Sequence, residues 1–306
     1  MKPRSIVVDL FGGYLRYRGG AAPLRDLVAL LEKFGVGAST ARVTMSRLKK
    51  EGWLDTRPGT DGREVVYALN EHSWQVLDEG RERILSDPRT SWDGWWHMVI
   101  YYVPETARSA REGLRKELAW LGFGPLAAST WISPHDRLTR VEEKFAHEPD
   151  VRLDLLRARS KGLPADRDMA ERCWDLDSLN SDYQTFLERY RAELPRYRSG
   201  RVGPDEALVE RIELFREWRK FPFRDPALPL ELLPARWLGH DAYQLFTEVS
   251  ELLRPAAERA IDEVTGTVRD DAAAAPATAT AEAPATGTVR TPARREAAAD
   301  ISASLA

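Results

Sequence analysis

The chain has 306 residues, 43% hydrophobic and 30% charged, with one cysteine and a formal net charge of −3. That length suggests two or three domains; no apolar run is long enough to span a bilayer, and the lone Cys173 excludes an intramolecular disulfide, a thiolate zinc knuckle and an iron–sulfur cluster held by this chain alone. The small net charge hides a split: residues 1–69 carry twelve Lys/Arg against seven Asp/Glu, or +5, while the remainder carries 33 against 41, or −8, as expected when one end approaches a polyanion and the body stays soluble.

The N-terminus, Met1-Lys2-Pro3-Arg4-Ser5 followed by an amphipathic stretch broken by Asp9, lacks the continuous apolar core of a secretory signal, so a cytoplasmic location without membrane partners is expected. Ser5 is read as the cap of a first helix, with Val7, Leu10, Phe11, Tyr14 and Leu15 at helical spacing and an end at Gly19-Gly20. Pro23 opens a second helix, whose Leu24, Leu27, Val28, Leu31 and Phe34 share a face. A turn at Gly35-Val36-Gly37-Ala38 leads to Ser39, read as the N-cap of a third helix that ends at Gly52. On this helix Ala41, Met45 and Leu48 point inward and Thr40, Arg42, Val43, Thr44, Ser46, Arg47, Lys49 and Lys50 outward, with no acid between Gly35 and Lys50. Hydroxyls and a helix N-terminus suit phosphates, arginines suit guanine edges, and Thr or Val methyls suit thymine. An extended piece from Trp53-Leu54, a turn at Pro58-Gly59-Thr60-Asp61-Gly62 and an alternating Val65, Tyr67, Leu69 make a hairpin. Three helices and a hairpin are the order of a winged helix-turn-helix, and Arg57 and Arg63 flank the wing tip. The predicted DNA contacts are Ser39, Thr40, Arg42, Thr44, Arg47, Lys49, Arg57 and Arg63, with Arg42 and Arg47 reaching base edges or adjacent phosphates. A three-helix protein-interaction module with a solvated basic helix is the alternative that does not bind DNA.

A linking helix from His72 to about Leu85 and a boundary at Ser86-Asp87-Pro88-Arg89-Thr90-Ser91 close the first domain. Trp95 to Val103 reads as a buried strand, Ala107, Ala110, Leu114, Leu118 and Leu121 as a helical stripe, Leu126 to Ile132 as a second strand, Leu138 to Phe145 as a weaker helix, and Val151, Leu153, Leu155 as a third strand. This alternation predicts an α/β layer of ferredoxin-like type with one strand not located. Two helices follow, marked by Leu179–Leu194 and Leu208–Trp218, then a stretch with Pro222, Pro226, Pro229 and Pro234, then a final helix with Ala242, Leu245, Phe246, Val249, Leu252 and Leu253 inward. The Ala/Thr/Pro-rich 265–306 reads as a disordered tail. The expected architecture is thus α+β and multidomain: a winged helix-turn-helix with its linking helix (1–85), a ferredoxin-like domain (91–175), an all-α domain (176–264) and the tail.

Several segments together resemble the PaaX-type repressors of phenylacetic acid degradation: Leu10-Phe11-Gly12 with Tyr14-Leu15-Arg16; Ala41-Arg42, Ser46-Arg47-Leu48 and Glu51-Gly52-Trp53-Leu54; Trp95-Trp96; and Asp225-Pro226, Leu228-Pro229, Leu232-Leu233-Pro234 with Trp237-Leu238-Gly239. The resemblance implies a central domain similar to Cas2 and a homodimer on double-stranded, inverted-repeat DNA. It also implies release by a small-molecule effector, phenylacetyl-CoA or a related acyl-CoA, and no cofactor or chemistry of the protein's own. A rival implied by Cas2 is a metal-dependent nuclease, but Tyr102 stands where such enzymes place an acid at the end of the first strand, and Glu105 is displaced from it.

No P-loop, nucleophile elbow, zincin motif or dinucleotide fingerprint occurs. Trp92, Trp95, Trp96, Trp120 and Trp131 suit either a core or an aryl pocket. Arg189, Arg191, Arg196, Arg198 and Arg201, with Arg216, Arg219 and Lys220, suit either coenzyme phosphates or solvated faces.

Overall fold

A computed structural model describes residues 1–59, 64–85, 92–222 and 224–266. The chain begins with α1 (Pro3–Gly13), a 3-10 turn (Leu15–Arg18), β1 (Ala21–Pro23), α2 (Leu24–Glu32), α3 (Ala38–Lys50), β2 (Leu54–Pro58), β3 (Val65–Leu69) and α4 (Glu71–Leu85). It continues with β4 (Trp96–Tyr102), α5 (Arg108–Trp120), β5 (Gly124–Ala127), β6 (Thr130–Ser133), α6 (Leu138–Phe145), β7 (Arg152–Ala158) and α7 (Leu163–Cys173). Last come α8 (Leu176–Arg198), α9 (Pro204–Trp218), a 3-10 turn (Leu230–Leu232) and α10 (Gly239–Thr265). The chain groups into two compact units, one of residues 1–85, 195–216 and 249 onward, the other of 86–194 and 217–248.

In the first unit, α1, α2 and α3 bury Ile6, Leu10, Phe11, Leu27, Leu30, Leu31, Ala41, Met45 and Leu48 almost completely, the stripes that a 3.6-residue period places on inward faces. Beside them lies an antiparallel sheet of order β1-β3-β2, in which Leu54 faces Leu69 and Pro58 faces Val65. α3 stops where Gly52 takes φ +77°; the Trp53 amide then bonds the Leu48 carbonyl (2.9 Å) and the Gly52 amide that of Lys49 (3.1 Å), a Schellman ending that a side chain with a Cβ would strain.

Helix starts differ from expectation. α1 begins at Pro3 after Lys2, so Ser5 is a buried interior residue, and its α-helical part stops at Gly13 rather than Gly19. α3 is preceded by Gly37 with no side-chain cap bond, which places Ser39 inside the first turn. In both cases the residue with the best capping chemistry is not the one with extended backbone angles. β1 escapes periodicity because three residues are too few to show alternation. The turn at 60–63 and the boundary at 86–91 lie outside the described residues. Thr265, read as the start of a tail, is the last residue of α10, where its hydroxyl bonds the Ile261 carbonyl (3.1 Å); 267–306 lie outside the described residues.

The C-terminal segments of this unit meet α1 through a buried cation. Arg211 on α9, 9% exposed, donates from Nε to the Ser250 carbonyl of α10 (3.1 Å) and from Nη1 to the Tyr14 hydroxyl (2.9 Å). Its guanidinium also sits 5.3 Å from the Tyr14 ring centre and 4.9 Å from that of Phe215. Arg18 bonds Asp262 through Nη2 (2.6 Å) and Nε (3.0 Å). Burial raises the Tyr14 phenol above its ordinary range even against the pull of Arg211, so it stays neutral and accepts.

The second unit holds an antiparallel sheet of order β5-β6-β4-β7 in the sequence βαββαβ. Val99 and Tyr101 pack against Leu114, Leu118 and Val141 of α5 and α6 on one face. On the other, Trp96 and Ile132 meet Ala170, Cys173, Leu176, Leu228 and Leu232. The unlocated strand lies inside the single strand read over Leu126–Ile132. That segment is the β5–β6 hairpin, turned at Ala128-Ser129, which lacks the Gly or Asn that normally marks a two-residue turn. α7 is also unanticipated, because its buried stripe is Asp166, Ala170 and Cys173, with no large apolar residue to signal it. Cys173 is 7% exposed, and burial pushes its thiol up to about 11.

Arg211→Ala strips a buried phenol and a buried carbonyl of their donor, so it should lower unfolding free energy by about 2–4 kcal/mol. Tyr14→Phe should cost about 1 kcal/mol. Urea midpoints of the full chain report both, and an Arg211→Ala midpoint equal to wild type would refute the assignment.

Candidate nucleic-acid interface

α3 presents its predicted faces. Ala41, Met45 and Leu48 are sealed against the core, while Ser39, Thr40, Arg42, Val43, Ser46, Arg47, Lys49 and Lys50 are exposed. Thr44 is half-buried and its hydroxyl donates to the Thr40 carbonyl (2.8 Å), which leaves its methyl and a lone pair outward. Val43, 48% exposed, and Ser46 join this surface although neither was among the predicted contacts. Without a side-chain cap, the first amides of α3 retain their capacity to meet an anion. Arg57 is exposed on β2 opposite Val66. Arg63 lies outside the described residues.

The decisive electrostatic feature is which cations are already neutralised. Arg4 faces Glu51 (3.2 Å), Arg16 faces Asp78, Arg18 faces Asp262, Arg25 faces Asp26 and Glu64 (3.2 and 3.3 Å), and Lys33 faces Asp205. No ion pair to a described residue holds Arg42, Arg47, Lys49, Lys50 or Arg57. Glu51, the nearest acid to the end of α3, is taken by Arg4, whose guanidinium also lies 5.5 Å from the Trp53 ring centre. The surplus of positive charge is therefore concentrated on one helix face and the adjoining strand.

Elsewhere the structure separates residues that the sequence left open. Trp96 is buried, donates Nε1–H to Asp166 (2.7 Å) and stacks on Trp174, with Trp92 edge-on to it (ring centres 5.5 Å apart). Trp131 and Trp120 belong to the opposite face of the sheet, so the five tryptophans do not converge on one pocket. Arg189 is paired with Glu217, Arg191 with Asp241, and Arg196 with Glu206 and Glu210, which makes these arginines solvated ion-pair faces.

The Pro-rich signature has a structural job. Asp225 accepts from the Tyr183 hydroxyl (2.7 Å) and the Ala227 amide (2.7 Å), holding Ala227 at φ +53°. The Ala227 carbonyl meets His135 Nε2 (2.9 Å); burial and then Arg137 push that imidazole below its ordinary range, leaving it neutral with Nε2–H as the donor. Asn180 bonds the Arg236 carbonyl and the Leu238 amide (3.0 and 2.8 Å), fixing Trp237-Leu238-Gly239.

For nuclease chemistry, Tyr102 ends β4, 53% exposed, beneath the Arg152 guanidinium. Among the described residues no group of three or more His, Cys, Asp or Glu could hold a metal ion, and no helix is long and apolar enough to cross a membrane.

Comparison with known proteins accounts for nearly the whole described chain. Family models match residues 2–73 (PaaX-like protein), 89–170 (PaaX protein central Cas2-like domain) and 174–263 (PaaX-like protein C-terminal domain). Transcriptional repressor PaaX of Escherichia coli (strain K12) is 32% identical over 266 residues, spanning 85% of this chain and 83% of that one. Uncharacterized protein Rv0674 from Mycobacterium tuberculosis superposes with a TM-score of 0.54 at 25% identity, covering 78% of this chain and 89% of that structure. The class these features define is a regulator built around a Cas2-like layer, not an enzyme. The chain belongs to the PaaX family.

Incubation of the full chain with plasmid DNA and millimolar Mn²⁺ should therefore leave the DNA intact. Chelator-sensitive cleavage that Glu105→Gln abolishes would reverse the assignment.

Proposed function

We propose that this chain is a transcriptional repressor in the cytoplasm that binds double-stranded DNA through an N-terminal winged helix and is released by an aryl acyl-CoA. The observation that carries the reading is that Arg42, Arg47, Lys49, Lys50 and Arg57 of α3 and β2 make no ion pair to a described residue, while every Arg from Arg4 to Arg25, and Lys33, faces a carboxylate. A merely solvated surface has no reason to sort its charges in that way. The helix–helix–helix–hairpin order supports a winged helix over 1–85, and the βαββαβ order supports a ferredoxin-like domain over 91–175. The helices after Asp175 support the all-α character of 176–264, although their contacts divide that segment between the two compact units, and α10 extends the helical part to Thr265.

In this reading the N-terminal turn of α3, with Ser39 and Thr40, approaches the phosphates. Arg42 and Arg47 reach base edges or adjacent phosphates, Thr44 offers its methyl, and Lys49, Arg57 and Arg63 hold the backbone. Two copies of the module on an inverted repeat double the footprint, which fits a homodimer. Membership of a family whose curated relative is a transcriptional repressor supports a role in phenylacetate-type catabolism, with phenylacetyl-CoA as the first effector to try.

If two protomers engage about eight phosphates, affinity for the DNA upstream of the chain's own gene should fall by about four orders of magnitude between 50 and 200 mM salt. A salt-independent affinity, or no shift at all, would favour the protein-interaction module. Arg47→Ala should cost about 1–3 kcal/mol and relax preference at one base position; an equal loss on all sequences would make Arg47 a phosphate contact.

A further inference from the structure

The second unit contains a groove that none of the family motifs predicts. It opens at the end of β4, has a volume of about 930 Å³, and is lined in part by Tyr102, Arg111, Arg115, Ser129, Asp150 and Arg152. That volume is within the range of small-molecule sites, about 300–1,000 Å³.

Its charge is not balanced from within. Arg111 and Arg115 stand one turn apart on α5, a like-charge pair that is unfavourable by a few tenths of a kcal/mol unless an anion lies between them, and Arg152 enters from the start of β7. Asp150 is the sole carboxylate of the lining. Arg115 is exposed and makes no ion pair to a described residue. Arg111 gives one N–H to the Val103 carbonyl (3.1 Å), which fixes the guanidinium while leaving most of its five donors outward. Arg152 lies over the Tyr102 ring, 5.1 Å from its centre, and its nearest carboxylate oxygen, on Asp154, is 3.9 Å away. Arg152 thus keeps a long ion pair, whereas Arg111 and Arg115 hold none to a described residue, in contrast with Arg189, Arg191 and Arg196, each joined to an acid. Guanidiniums in this number suit the bidentate recognition of phosphate oxygens, and the exposed Tyr102 supplies aromatic surface for a flat group.

We propose that this groove binds a phosphate-bearing organic anion with an aromatic moiety, of the nucleotide or coenzyme A class, held through Arg111, Arg115 and Arg152. The proposal rests on the repressor reading only for the ligand's role as effector; binding itself is independent of it.

Calorimetric titration of the full chain with phenylacetyl-CoA, coenzyme A, ATP and pyrophosphate separates the sources. Binding of the thioester and coenzyme A but not ATP assigns a coenzyme site, binding of ATP a nucleotide site, and either supports the groove if Arg115→Glu and Arg152→Ala each weaken it by about tenfold or more while Arg191→Ala leaves it unchanged. Arg115 is a surface residue on an exposed helix face, so its variant folds as wild type does, and circular dichroism confirms it. Binding of none of the probes, binding of pyrophosphate alone, or equal affinity in Arg115→Glu overturns the proposal. Release of operator DNA by the thioester at equal concentration in wild type and Arg115→Glu overturns the groove and leaves the effector reading intact. Binding lost in Arg115→Glu, with DNA unaffected by the thioester in wild type, leaves the groove standing and removes the effector reading.

Discussion

One guanidinium ties the beginning of the chain to its end. Arg211 arrives on α9, and its planar fork satisfies a phenol from the end of α1 and a carbonyl from α10. A buried cation is tolerable only where its donors find acceptors, so the positions of these three helices are mutually constrained. Arg18 and Asp262 repeat the linkage a short distance away. Residues 1–85 and the helical segments at 195–216 and 249–266 consequently form one body, and α3 is displayed on a platform assembled from residues nearly two hundred positions apart.

That constraint also explains the charge sorting. Arg16, Arg18 and Lys33 carry part of the +5 surplus counted in the sequence, yet their partners Asp78, Asp262 and Asp205 all lie beyond residue 69. The acidic remainder of the chain thus does two jobs, supplying solubility and absorbing those basic side chains that face inward to the platform. What is left over defines a much smaller positive surface than the raw count suggested, and it coincides with the helix whose sequence was most distinctive.

Legibility followed the strength of local signals. The inward triad Ala41, Met45 and Leu48 was readable because large or tightly packed residues recur at one period on an otherwise polar helix, and α6 because Leu138, Val141 and Phe145 do the same. α7 was invisible because its buried positions are Asp166, Ala170 and Cys173: Asp166 is buried for the sake of the Trp96 indole, a tertiary reason that no periodicity encodes. The β5–β6 hairpin was read as one strand because Ala128-Ser129 is an uninformative turn. Helix caps misled in the same way, since Ser5 and Ser39 have capping side chains but helical backbones. The candidate DNA surface was visible as composition; that no described residue pairs with its cations depends on where the fold places the acids. The groove at Arg111, Arg115 and Arg152 was not visible at all, because its three arginines come from α5 and β7, 41 positions apart at the extremes, and each alone looks like an ordinary surface charge.

The burial of Cys173 has a practical side. A thiol sealed between Trp96 and the α7–β5 contact and held protonated at neutral pH offers little thiolate to oxidants or alkylating reagents. The molecule therefore presents no reactive thiol on its surface, and a cysteine introduced at an exposed position becomes a unique attachment point for thiol reagents. A fluorophore or spin label placed on α3 or beside the groove would report from that place alone, without first replacing Cys173.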